Sequence, residues 1–71
     1  MKRRDLIKQI HDAARASNLE FVSLRNAGGH ELFSLDGLRI PVLNHREIAE
    51  GTARSIMRQA ASKLGEDWWT R

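Results

Sequence analysis

Three histidines are the side chains in this 71-residue sequence with the readiest proton chemistry at neutral pH, and one of them, His30, follows a Gly28-Gly29 pair. An imidazole with its ordinary pKa of about 6.5 can take a proton from a hydroxyl and return one to a leaving oxygen. Two glycines ahead of it leave backbone N–H groups open to an approaching anion, because no Cβ intervenes. Arg25, Arg39, Arg54 and Arg58 supply cations to hold a phosphate and offset developing negative charge. Residue type and spacing alone leave two readings open. His30 is an acid–base group, or it is an ordinary polar residue at the edge of a turn, and the second is the default.

The remaining candidates are weaker. His11 falls on the polar side of a helical pattern and reads as a solvated residue. His45 and Arg46 follow a strand-like segment and suit a binding contact, or a capping contact for His45, better than catalysis. The chain has no cysteine, and its histidines and carboxylates lack metal-ligand spacing, so neither a metal nor another cofactor is expected. Ser55 and Ser62 have no adjacent base to activate them. Gly28-Gly29 lacks the Gly-Lys-Ser/Thr ending of a phosphate loop.

The elements that must position these residues are legible from hydrophobic period. Leu6, Ile7, Ile10, Ala13 and Ala14 recur at helical spacing, which predicts a helix over residues 3–17 ended by Asn18. A β-rich run predicts a strand over 20–26, and Asn26-Ala27-Gly28-Gly29 reads as a turn. A second strand follows over 30–35. Asp36-Gly37 is a strong hairpin signal leading into a third strand over 38–43. Pro41 cannot donate to a ladder, so that third strand belongs at an edge. Asn44 to Glu50 reads as a polar lead-in. Ala53, Ile56, Met57, Ala60 and Leu64 predict a second helix over 51–64, capped near Thr52 and ended by a left-handed Gly65. Residues 66–71 read as a loosely held tail, with Trp68 and Trp69 available to cover the core or a partner, or to stack bases. The expected fold is a single two-layer α+β domain, α-β-β-β-α, with a three-stranded antiparallel sheet.

Twelve Lys+Arg against nine Asp+Glu give a formal charge of +3, and the isoelectric point is about 10.2. That balance suits a polyanion such as nucleic acid, but on charge alone a solvated surface with a mild positive bias is the better reading. Lys2, Arg3 and Arg4 join the candidate contacts. No apolar stretch follows the Met-Lys-Arg-Arg start, so a signal peptide is not expected, and no segment approaches a membrane span of about 20 apolar residues. The absence of cysteine fits a reducing cytoplasm.

Two strings, taken together, resemble a known family. The first is Gly28-Gly29-His30 leading into Glu31-Leu32-Phe33. The second is Ile40-Pro41-Val42-Leu43-Asn44-His45 followed by Gly51-Thr52-Ala53-Arg54-Ser55-Ile56-Met57-Arg58-Gln59-Ala60. With the leading Asp5-Leu6-Ile7-Lys8, they resemble the HicA family of mRNA-interferase toxins over about residues 5–61. Gly29 stands where that family usually has Ser, Glu31 where it often has a second His, and Ala53 where it has Leu. The Trp68-Trp69 tail lies outside the pattern.

The resemblance implies a double-stranded-RNA-binding-domain-like fold. It implies a metal-independent endoribonuclease of a type II toxin–antitoxin pair, with His30 catalytic and mRNA as substrate. Gly28, Gly29, Arg25, Arg39, Arg54 and Arg58 would then contact the substrate. A HicB-like antitoxin would be the partner, with His45 and Arg46 as auxiliary or antitoxin contacts. Two other classes compete: a non-catalytic RNA-binding module of the same fold, and a protein-interaction or DNA-binding accessory domain.

Overall fold

The computed structural model describes residues 1–70. A helix, α1 (Arg3–Ala16), precedes three strands, β1 (Phe21–Ala27), β2 (His30–Leu35) and β3 (Leu38–Leu43). A second helix, α2 (Glu50–Leu64), follows, and a short 3-10 turn spans Trp68–Thr70. The strands form one antiparallel sheet in the order β1-β2-β3, so β3 with its Pro41 is an edge, as the proline requires. This is the α-β-β-β-α order and sheet expected from the sequence, with element ends displaced by a residue at most.

Alternation along the strands sorts the two sheet faces. Phe33, Leu35, Ile40 and Val42 are buried and face the helices. Both helices supply the opposing surface, through Leu6, Ile10 and Ala14 of α1 and Ala53, Ile56, Met57, Ala60 and Leu64 of α2. Phe21 stacks on Phe33 across β1 and β2 with ring centroids 4.8 Å apart. The other face carries Val22, Leu24, Arg25, Leu32 and Arg39. The pairing shifts between Ser23 and Arg25, and Leu24 at that bulge is, with Val22, one of two large apolar residues left exposed among the described residues.

The local stops follow from backbone chemistry. Asn18 adopts φ +58°, and the N–H groups of Leu19 and Asn18 bond to Ala14 O and Arg15 O, a paired closure that ends α1. Asp36 and Gly37 sit at φ +50° and +90°, the two-residue turn their types predict.

Four expectations are corrected. The N-cap of α2 is Ala49, without a side-chain cap bond, and Thr52 lies inside the first turn. Gly65 has φ 101° but ψ 151°, so it ends α2 in an extended mirror-image conformation, without the left-handed helical one. The polar lead-in before α2 contains Ile48, which is 1% exposed and belongs to the core. Its N–H donates to Met1 O at 2.7 Å, beside a bridge between Lys2 and Glu47. The tail is not loose through Thr70: Trp68 is buried and its indole N–H donates to Met57 O at 2.8 Å. Trp69 is half-buried and edge-on to Trp68. Arg71, the last residue of the predicted tail, lies outside the described residues.

Candidate active site

His30 is the first residue of β2, opposite Ala27 on β1 and Leu43 on β3. Gly28 and Gly29 form the two-residue turn before it, at φ +61° and +81°. A Cβ on either would meet no atom within 4 Å, so glycine is required here by backbone conformation and not by crowding. The turn is tied down from the far side of the sheet. Asn44, just past β3, donates its backbone N–H to Gly29 O at 2.9 Å and its side-chain Nδ2 to Asn26 Oδ1 at 2.5 Å.

The His30 ring is exposed, with Nδ1 3.4 Å from Gly28 O. When Nδ1 carries the proton it faces that carbonyl as donor, and Nε2 keeps its lone pair for an incoming proton. Beside the ring lies an open groove of about 370 Å³. Its sheet side is His30, Pro41 and Leu43. Its helix side is Gly51, Thr52, Ser55, Ile56 and Gln59. Gly51 leaves space at the mouth that a side chain would occupy. Thr52, Ser55 and Gln59 recur at helical spacing and present two hydroxyls and an amide on one stripe. The groove therefore combines one imidazole with several neutral hydrogen-bond donors.

Glu31, next to His30, has a different task. It turns to the helix side, where Ser23 Oγ donates to it at 2.6 Å and Arg3 Nη2 at 2.5 Å. The Ser23 hydroxyl first, and the Arg3 guanidinium second, hold its carboxyl below the usual glutamate value. Arg3 Nε also donates to Leu43 O at 2.8 Å, so this residue ties α1 to both β2 and β3. Arg3 is therefore engaged within the fold and is no free cation for a polyanion.

The predicted arginines do not line the groove. Arg25 and Arg39 flank Leu24 and Leu32 in a hollow on the open sheet face. Arg58 borders another hollow with Glu66, Asp67 and Trp69, and Arg54 is exposed on α2. His45 is exposed beyond β3, and Arg46 lies with Lys2, Arg3 and Arg4 around a hollow of about 220 Å³. No group of three or more His, Asp or Glu converges on a common point among the described residues. Sequence reasoning passed over Thr52, Ser55 and Gln59 as functional groups. Their signal was present in the Gly-Thr-x-Arg-Ser-Ile-x-x-Gln string, whose non-arginine polar positions share one helical stripe.

Comparison of the chain with protein-family models, with curated proteins and with solved structures returned no match. No helix among the described residues is long and apolar enough to cross a membrane.

Proposed function

We propose that this chain is a HicA-like toxin, a metal-independent endoribonuclease that cleaves mRNA in the cytoplasm with His30 as general acid–base. One observation carries the reading. His30 of the Gly28-Gly29-His30 string and Gly51, Thr52, Ser55, Ile56 and Gln59 of the second string line one groove although about twenty residues separate them. A resemblance of turn and cap signals alone would not require them to share a surface.

The chemistry proceeds from groups in that groove. His30 Nε2 takes the proton from a ribose 2′-OH, and the oxygen attacks the adjacent phosphorus. The P–O5′ bond breaks, a 2′,3′-cyclic phosphate forms, and the departing 5′-oxygen receives a proton from the imidazolium or from water. Thr52, Ser55 and Gln59 offer hydrogen bonds to the phosphoryl oxygens as charge builds on them. A HicB-like antitoxin would silence the enzyme by covering this groove.

The test compares wild type with His30→Ala on a defined RNA in the presence of EDTA, with circular dichroism to verify folding. Wild type is expected to cut and the folded variant to lose about 10²–10⁴-fold in rate. A folded His30→Ala protein that cuts at the wild-type rate overturns the assignment. Salt-sensitive binding by wild type with the RNA left intact would instead make the chain a non-catalytic RNA-binding module.

A further inference from the structure

The hollow at the start of α1 gathers basic residues from two distant parts of the chain. Lys2, Arg3 and Arg4 meet Arg46 there, held by the Arg3 N–H bond to Arg46 O at 3.0 Å and the Lys2–Glu47 bridge. The acidic groups around it are mostly spent. Glu31 pairs with Arg3, and Glu47 pairs with the Met1 amino group at 2.9 Å. Arg4 Nε lies 3.8 Å from Asp5. That leaves Lys2, Arg4 and Arg46 as exposed cations around the hollow, with Asp5 beside Arg4 and the Glu47 carboxylate, already bound to the Met1 amine, near Lys2.

One hydrogen bond connects the lining of this hollow to that of the His30 groove. Arg3 lines the hollow and donates to Leu43 O, and Leu43 lines the groove opposite His30. We propose that the Lys2–Arg4–Arg46 hollow is a phosphate subsite that holds the backbone of single-stranded RNA a short distance from the scissile bond. The inference rests on the ribonuclease reading for its substrate, and its geometry rests on the hollow itself. A mobile strand bound only at an exposed imidazole would reorient freely, whereas a second grip on its backbone fixes the register of the 2′-OH.

The experiment measures fluorescence anisotropy of a short labelled single-stranded RNA bound to His30→Ala protein, between about 50 and 200 mM salt. The hollow is removed by Arg4→Gln/Arg46→Gln, and Arg15→Gln/Lys63→Gln removes equal charge elsewhere. The hollow variant is expected to flatten the plot of log affinity against log salt by about 0.7 for each phosphate no longer neutralised, while the control keeps the parent slope. Equal flattening by both pairs, or none by the hollow variant, overturns the subsite. The ribonuclease reading fails separately: if wild type binds with hollow-dependent salt sensitivity yet never cuts, the subsite stands and catalysis falls.

Discussion

Replacing Glu31 by glutamine tests whether the ion pair beside His30 holds the sheet to α1. The side chains of Arg3 and Glu31 are only 22% and 19% exposed, so solvent screens this pair less than a surface one. Glutamine keeps the shape and an acceptor oxygen for Arg3, but removes the charge that the Arg3 and Ser23 bonds share. A hydrogen bond to a charged group contributes about 1.5–3 kcal/mol and a neutral one about 0.5–1.5, so the exchange costs roughly 1–1.5 kcal/mol. A domain of 60–100 residues loses about 4–8 °C in Tm per kcal/mol. Glu31→Gln should therefore melt roughly 4–12 °C below wild type near neutral pH. The pH dependence supplies an internal control. Because the folded state holds this carboxyl below its ordinary value of 4.5, the stabilisation is present above that value and is lost as acid protonates the group. The gap between wild type and variant should open fully at neutral pH and close in strong acid, while the other carboxylates titrate alike in both proteins. Thermal melts across that range, with Arg3→Gln and the double variant completing a cycle, measure the coupling directly. A gap that stays constant from neutral to strong acid, or a coupling near zero, refutes the reasoning.

Three further outcomes follow from single side chains. Trp68→Phe keeps an aromatic ring but removes the indole N–H bond to Met57 O, which retains its helical partner, and should cost about 0.5–1.5 kcal/mol in urea unfolding. Ile48→Ala empties a fully packed site and should cost about 2–5 kcal/mol by the same measurement, whereas a mere loop position would cost almost nothing. Ser55→Ala removes an exposed hydroxyl and should leave unfolding unchanged while slowing RNA cleavage by up to about 10²-fold if the hydroxyl meets the developing charge.

Periodic apolar residues and turn chemistry made the framework readable. Leu38, Ile40 and Val42 alternate because one sheet face meets the helices, and Asp36-Gly37 states its own turn. The misses share a physical cause. Ile48 is one apolar residue among polar neighbours, so no period marks it, and only the distant Met1 backbone makes it part of the core. Core cover is one of the roles read for Trp68 and is what the structure has, but the loose-tail reading failed because its partner, Met57 O, is a backbone atom that no side-chain pattern reveals. Thr52 looked like a cap because it has the right chemistry one turn too late. The site was half legible for the same reason. His30 and its glycines form a local signal, but the groove exists only where β2, β3 and α2 converge, and the hydroxyl stripe becomes meaningful when that convergence is known.

The groove lies on the rim of a small domain, so its geometry cannot come from the core alone. It depends on the segment joining β3 to α2, because that segment decides where Gly51 and Thr52 stand relative to His30. Asn44 fixes its beginning against Gly29 and Asn26. Arg46 O accepts from Arg3, whose guanidinium grips Leu43 O and Glu31. Ile48 fills the core and bonds to Met1. Residues 44–48 are thus tied at their start, middle and end, more densely than packing around a connecting loop requires. Ordering such a segment costs roughly 1–2 kcal/mol of backbone entropy per residue, and the ties offset that cost in a domain with little stability to spare. Short connections dense in long-range bonds are what a rim site needs if an exposed imidazole is to keep a fixed distance from donors on a separate helix.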